Sequence, residues 1–122
     1  MTQKEKELLL KDLCARLPYG VKVQNVINGS IYDLKERLYC LPGALTTNFK
    51  PYLRPMSSMT EEEKAQVQTF MDIVTDENYG DGYSPSAWDA MNVFVQYCDS
   101  HHLDHRGLIF RGIALEAPEE MY

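Results

Sequence analysis

An Asn-Gly step between two apolar segments restricts the fold of this chain more than any other local feature. Residues 21–24 alternate apolar and polar side chains, and Asn28-Gly29 offers the two positive-φ positions of a type I′ hairpin turn. The returning strand is predicted over residues 30–41, where alternate side chains share one face: Tyr32, Leu34, Leu38 and Cys40. We therefore expect a β-hairpin that packs one face on a core and exposes the other.

Turn and proline signals follow the hairpin. Pro42-Gly43 predicts a type II turn, and residues 44–49 predict a short third strand beside the returning strand. Pro51 and Pro55 have no N–H group to donate to a ladder, so residues 50–55 are expected to form an extended crossover lying over the sheet.

Three further segments have helical patterns. In residues 4–17 apolar side chains recur at helical spacing: Leu9, Leu10, Leu13 and Leu17. Asp12 lies on the side expected to face water. Thr60 and Glu63 have capping-box spacing at the start of a second helix, and Ser84-Pro85 opens a third. The expected buried stripe of that third helix is Trp88, Met91, Val95 and Cys98.

These elements predict the fold class. The chain of 122 residues has the length of one domain, and its 44% hydrophobic and 25% charged residues are typical of a globular protein. We predict a single α+β domain over residues 1–122. In it a small antiparallel sheet, made of the hairpin and a short third strand, packs against about three helices.

The cysteine pattern indicates a cellular compartment. Cys14, Cys40 and Cys98 are odd in number, far apart and without a CxxC pair, so they fit a reducing cytoplasm better than a disulfide or zinc framework. The start of the chain is too acidic for a signal peptide, and no apolar segment approaches the roughly 20 residues that span a bilayer. We expect a cytoplasmic monomer or small homo-oligomer without a membrane segment.

The charge of the chain changes sign along its length. Residues 1–54 contain nine Lys or Arg and five Asp or Glu, a net +4, whereas residues 55–122 contain three and thirteen, a net −10. One interpretation is that the two parts attract each other within the fold. The other is a basic face for an anionic partner, formed by Lys22, Lys35, Arg37, Lys50 and Arg54. The net charge of −6 disfavours a dedicated nucleic-acid-binding protein.

All three histidines lie within the segment His101-His102-Leu103-Asp104-His105-Arg106. If the third helix continued through it, His101 and His105 would share a face, as the two ligands of an HExxH zinc site do. The third ligand would then have to be Asp104, Asp99 or a distant residue. The glutamate base of that motif is missing, because His102 occupies its position, so the metal signal is weak.

A helix end is the alternative interpretation of the same segment. Histidines at the end of a helix are stabilised by its dipole, and an Asp followed by an Arg can pair where the chain turns. Such a corner is either a folding device or a binding notch that opens toward the basic crossover. The residues of the notch are His102, Asp104, Arg106, Tyr52 and Arg54. No cofactor is expected.

A cysteine-based site is the other catalytic option. Cys98 lies three residues before His101 and four before His102, so a helix would bring the thiol near an imidazole. Cys98 also falls on the apolar stripe of the third helix. That position indicates a buried, unreactive thiol instead.

Several segments of the chain resemble a family of short uncharacterised proteins from gut Bacteroidetes that often occur with prophage or other mobile elements. The resemblance runs nearly end to end and is carried by Leu13-Cys14-Ala15-Arg16-Leu17-Pro18-Tyr19-Gly20-Val21 and by residues 50–63, 101–109 and 117–122. It implies no particular activity. The family more often has an aromatic residue at the position of His105 and glycine at that of Glu120, so His105 is not expected to be a required ligand.

Three functions are consistent with these features, in order of preference. The first is a non-catalytic accessory protein that binds a protein partner, since no catalytic constellation is complete and the charge is divided. The second is a metal-dependent or cysteine-based hydrolase that uses the C-terminal histidine cluster. The third is a modulator of nucleic-acid processing that uses the basic hairpin face.

Overall fold

The computed structural model of the protein describes residues 2–36, 49–75 and 85–122. Its helices and strands, in chain order, are α1 (Gln3–Arg16), β1 (Lys22–Asn25), β2 (Ile31–Asp33), β3 (Phe49–Leu53), α2 (Glu61–Thr75), α3 (Pro85–Ser100) and β4 (Leu115–Glu116). Within these residues, three helices accompany a four-stranded sheet in the order β2-β1-β3-β4, which confirms the predicted α+β class.

The predicted hairpin is present, but its turn differs from the prediction. β1 and β2 pair antiparallel, and the N–H of Asn25 donates to the carbonyl of Ser30 at 2.9 Å, enclosing residues 26–29. A type I′ turn needs positive φ at both Asn28 and Gly29, whereas only Gly29 has it, at 77°. The side-chain oxygen of each asparagine accepts the backbone N–H two residues on, which stabilises the longer loop.

The returning strand is shorter than the predicted 30–41 in the part that the structure describes. Its ladder covers Ile31–Asp33, after which Leu34 is fully buried on the predicted packed face. The remaining predictions for this region lie outside the described residues: Leu38, Cys40, Pro42-Gly43 and residues 44–48.

The third strand that the structure describes, β3, begins at Phe49, the last residue of the predicted strand over 44–49. β3 pairs antiparallel with β1, not with the returning strand. The expectation of a crossover over residues 50–55 is wrong for 50–53, which lie in the interior of the sheet with Pro51 opposite Val23.

Pro51 fits an interior strand because no ladder bond is needed at its nitrogen. The carbonyl of Leu53 accepts from the N–H of Ala117, on the β4 side, at 2.8 Å. Backbone groups of alternate residues point to the same edge, so the nitrogen of Pro51 faces that side too. Pairing with β4 begins at Tyr52, opposite Leu115. The missing donor therefore lies one residue outside the β4 ladder.

β4 is a strand that the sequence pattern does not predict. It pairs parallel with Tyr52 and Leu53, so the sheet is mixed and not purely antiparallel. Its two residues are too few to show the alternation by which strands are recognised.

The core lies between α1, the sheet and the C-terminal segment. Its buried apolar side chains are Leu9, Leu13, Val21, Val23, Leu34, Leu53, Leu108, Ile113 and Ala114. α1 departs from its predicted faces, because Leu10 is 40% exposed while Asp12 is fully buried. The helical spacing therefore predicts the burial of Leu9 and Leu13 correctly but assigns Leu10 and Asp12 to the wrong faces.

α2 and α3 pack against each other. Phe70 and Tyr97 meet edge to face with ring centroids 5.7 Å apart. Cys98 is fully buried as predicted, but Met91 is 53% exposed, so the buried stripe of α3 is narrower than its apolar pattern indicates. None of the described helices is both long enough and apolar enough to cross a bilayer.

The hairpin loop yields a test of its geometry. Gly29→Ala should lower the free energy of unfolding by about 1 kcal/mol, because a residue with a Cβ is strained at positive φ. No atom lies within 4 Å of the added methyl group, so strain is the whole effect. Asn28→Gly should cost about 0.5 kcal/mol, since it removes the hydrogen bond from Ser30. Urea denaturation measures both changes, and a stabilised Asn28→Gly variant would favour the type I′ turn instead.

Candidate functional site

α3 ends in a Schellman motif that has histidine where glycine is usual. The N–H of Leu103 donates to the carbonyl of Cys98 at 2.8 Å, and the N–H of His102 donates to the carbonyl of Asp99 at 3.2 Å. His102 has a φ of 60°, the one positive value at a non-glycine residue in the described chain. Since that conformation costs about 1 kcal/mol, neighbouring contacts must hold it. The helix therefore does not continue through the histidines.

The three imidazoles diverge from this corner. Each has its own partner: Glu63 for His101, Tyr122 for His102 and Asp99 for His105. His101 and His105 consequently do not share the helix face that an HExxH-like pair requires. No group of three side chains able to hold a metal ion occurs in residues 2–36, 49–75 and 85–122, and the weak candidate set of His101, His105 and Asp104 is not assembled.

A buried network of ion pairs fixes the corner to α1. Arg16 Nε donates to Asp12 Oδ2 at 2.9 Å, and both side chains are fully buried. Arg106 Nη1 donates to an oxygen of Asp12 and to an oxygen of Asp99, each at 2.8 Å. Burial acts to raise the pKa of Asp99, but hydrogen bonds from His105 and Arg106 outweigh it and hold that pKa below its ordinary value. The positive and negative charges of the network neutralise one another, so its role is structural.

Asp104 caps the turn that follows the corner. Its two carboxylate oxygens accept the N–H groups of Leu108 at 2.8 Å and Ile109 at 2.9 Å. Asp104 and His102 are each 8% exposed, and Arg106 points into the buried network. His102, Asp104 and Arg106 therefore face three different partners and form no open notch.

Tyr122 closes the sheet beside the corner. Its ring stacks on His102 with centroids 3.6 Å apart and planes at 13°. Its hydroxyl accepts from the N–H of Lys22 at 2.9 Å and donates to the carbonyl of Tyr52 at 2.7 Å, bridging β1 and β3 where their ladder ends. Burial raises the pKa of Tyr122 to about 12, so the hydroxyl remains a donor. Tyr52, a predicted binding residue, thus contributes its carbonyl to the sheet.

Arg54 and Glu63 form the floor of a groove. The guanidinium donates to both carboxylate oxygens, at 2.7 and 2.8 Å, and to the carbonyls of Ser58 and His101, at 3.2 Å each. The hydrogen bonds from Arg54 lower the pKa of Glu63 to about 2, against the opposing effect of burial. The charge of Arg54 is therefore neutralised within the pair.

The groove above this floor has a volume of about 610 Å³. One wall is His101, which stacks on Tyr97 with ring centroids 4.1 Å apart. The other lining residues are Pro55, Ser58, Thr60, Glu62, Glu116, Ala117, Pro118, Glu119 and Tyr122. Glu62, Glu116 and Glu119 are exposed, so the open ionisable side chains at its rim are acidic.

Cys98 is not positioned to act as a nucleophile in this groove. Its side chain is fully buried, and burial, assisted by the charge of Asp99, raises the pKa of the thiol to about 11. Nucleophilic attack needs a thiolate. The position disfavours the cysteine-based hydrolase.

The groove and the predicted site overlap at one residue. Of the predicted binding residues, Arg54 alone lines the groove. The capping-box pattern identifies Glu63, and its capping bonds to Thr60 are present. No sequence signal connects Glu63 with Arg54 or His101, because these pairings depend on how distant segments meet.

Comparison with known proteins adds no relative to this description. The chain matches no family model, and no curated protein or solved structure is significantly similar to it. The role of the groove therefore rests on its own residues.

Removing one member of the buried network should be severe. Arg16→Met is expected to lower the free energy of unfolding by about 3–5 kcal/mol, because it leaves buried carboxylate charge without compensation. Lys64→Met removes an exposed partner of Glu61 and should change it by less than about 0.5 kcal/mol. Chemical denaturation compares the two variants. Equal small effects would show that the buried pair has no structural role.

The corner should also lose stability in mild acid. Burial, followed by the charges of Arg16 and Arg54, lowers the pKa of His102 from 6.5 to about 4. The unfolded chain binds a proton below pH 6.5 that the folded chain resists, so the free energy of unfolding should fall by about 2 kcal/mol between pH 7 and pH 5. The ionised carboxylate of Glu63 also stabilises the fold. That stabilisation is lost at lower pH, between pH 4.5 and about 2, as the carboxylate is protonated.

A variant isolates the contribution of this histidine. His102→Asn should remove most of the fall, because asparagine tolerates the left-handed conformation and does not titrate. His101→Asn is the matched control and should retain it. Urea titrations at the two pH values measure the difference, and an undiminished fall in His102→Asn would assign the acid sensitivity to another group.

Proposed function

We propose that this protein is a non-catalytic interaction protein of the cytoplasm whose acidic groove binds a cationic segment of a protein partner. The observation that carries the proposal is the open carboxylates of Glu62, Glu116 and Glu119 above a floor that is already neutral. No ion pair joins these three groups to a basic side chain within the described parts of the chain. Their charge is therefore available to a ligand.

The groove suits a peptide better than a small anion. Arg54 has both terminal nitrogens occupied by Glu63 and backbone carbonyls, so it offers no free fork to a carboxylate or phosphate. The stacked rings of Tyr97 and His101 provide a flat wall against which apolar or guanidinium groups can pack. Because His101 is held by a hydrogen bond to Glu63 and by stacking on Tyr97, binding needs little reorganisation of this wall.

The alternatives have less support from the same contacts. A hydrolase would need a metal set or a reactive thiol, and the histidines diverge while Cys98 is buried. A nucleic-acid modulator would use a basic face that includes Arg54, but Arg54 is paired with Glu63. Both remain less favoured proposals beside peptide binding.

Peptide binding can be measured directly. A fluorescein-labelled peptide of alternating Arg and Gly should bind the protein in fluorescence anisotropy, more weakly as salt is added. Glu116→Gln/Glu119→Gln should weaken binding by about tenfold, since two exposed charge contacts are lost.

The matched control changes the net charge equally at a different place. Glu7→Gln/Glu36→Gln alters two exposed glutamates outside the groove and should leave the affinity unchanged. A peptide in which Glu replaces Arg should not bind. Equal weakening in the two double variants would reduce the effect to net charge and refute a groove-specific site.

A further inference from the structure

Phe110 is the most exposed large apolar side chain described in this protein. It is 98% exposed, compared with 74% for Ile27 and 53% for Met91. A single exposed apolar residue is ordinary, but an almost completely exposed aromatic ring is not what burial statistics favour. Aromatic rings that project from a surface are frequent anchors of protein interfaces.

The turn that carries Phe110 is held rigidly. The Asp104 carboxylate accepts the N–H groups of the two residues before the ring, Leu108 and Ile109. After the ring, the N–H of Gly112 donates to Ile109 and that of Ile113 to Leu108, at 3.0 and 3.1 Å. Leu108 is fully buried beneath the turn. The backbone that carries the ring is thus held in one position, which lowers the entropy cost of binding.

A cation lies beside the ring. Arg111 is exposed, and no ion pair occupies its guanidinium within the described residues. Hydrogen bonds with Thr2, and to a smaller extent the charge of Arg111, lower the pKa of Glu5. Phe110 and Arg111 therefore offer an aromatic ring and a free positive charge together.

The groove offers the complementary groups. Its lining combines Tyr97, the stacked His101 and Pro118 with the free carboxylates of Glu116 and Glu119. We infer that Phe110 and Arg111 of one copy bind in the acidic groove of a second copy, which rests on the proposed function and names a partner for it. The ring packs on the apolar wall and the guanidinium meets the carboxylates.

Charge favours this head-to-tail arrangement over a symmetric one. The exposed side chains of Glu62, Glu116 and Glu119 line the groove, so two copies joined groove to groove would bring like charges together. The inferred contact instead pairs a cationic turn with an acidic groove. Because turn and groove are different surfaces, the contact is heterologous, and repetition gives a ring or an open chain of copies.

Sedimentation velocity over a dilution series at low salt tests the contact. The wild-type protein should self-associate reversibly, and Phe110→Ser should weaken association about 30-fold, the loss expected for an interface hot spot. Ile27→Ser is the matched control, since it removes another exposed apolar side chain, and should leave association unchanged. Equal weakening by both would indicate unspecific apolar contact and overturn the inference.

Mixing two defective variants gives the sharper test. Phe110→Ser keeps the groove, whereas Glu116→Arg/Glu119→Arg keeps the ring and Arg111. At a concentration where the wild type associates, each variant alone should stay monomeric, and an equimolar mixture should form a one-to-one complex that does not grow further. A mixture that remains monomeric while the wild type associates would place the contact elsewhere and refute the inference.

The failure of this inference is distinguishable from that of the proposed function. If the Arg-Gly peptide binds in a groove-dependent manner while the wild-type chain stays monomeric at every concentration, the groove binds cationic segments but not a second copy. If the peptide binds neither the wild type nor Phe110→Ser, the proposed function itself fails.

Discussion

The buried ion pairs among Asp12, Arg16, Asp99 and Arg106 are the interaction on which the rest of the structure depends. Moving a charged group out of water costs several kcal/mol, so none of the four is buried without the others. Hydrophobic burial is non-directional, whereas these charges fit together only when α1, the end of α3 and the next turn adopt one arrangement. Arg16 also donates to the carbonyl of Leu103 at 2.6 Å, which fixes the corner itself. The network thus selects one placement where an apolar core alone would tolerate several.

The groove follows from the way α3 ends. Arg54 donates its N–H to the carbonyl of His102 at 2.7 Å and accepts from the N–H of Asp104 at 2.8 Å, so the corner pairs with the extension of β3. This pairing holds Arg54 beside the first turn of α2, where Glu63 both caps the helix and binds the guanidinium. His101, one residue before the left-handed position, then reaches the same carboxylate at 2.7 Å. The structural corner and the groove therefore share their backbone.

Features with local causes could be predicted from the sequence, and features with distant causes could not. The hairpin and the start of α2 depend on residues a few positions apart. Asp12 has the spacing of an exposed residue, and its burial depends on Arg106, 94 positions away, as well as on Arg16 of the same helix. Pro51 has the sequence pattern of a crossover, yet it lies within the sheet. Its nitrogen, which has no hydrogen to donate, faces β4, and pairing with β4 begins only at the next residue. At the site, the spacing of two histidines indicated a shared helix face, but His102 between them leaves the helix and separates their directions.

Groups that already have partners in the folded chain have little free energy left for binding. His102, Asp104 and Arg106, which first indicate chemistry in the sequence, are of this kind, because stacking, capping and ion pairs occupy them. The opposite holds for the rim carboxylates and for Phe110. An exposed ring contributes nothing to the stability of the isolated chain, and transfer of its area from water is favourable by about 25 cal/mol per Å². That free energy is available only to an intermolecular contact, which is why the proposed contacts use the unpartnered groups and not the histidine cluster.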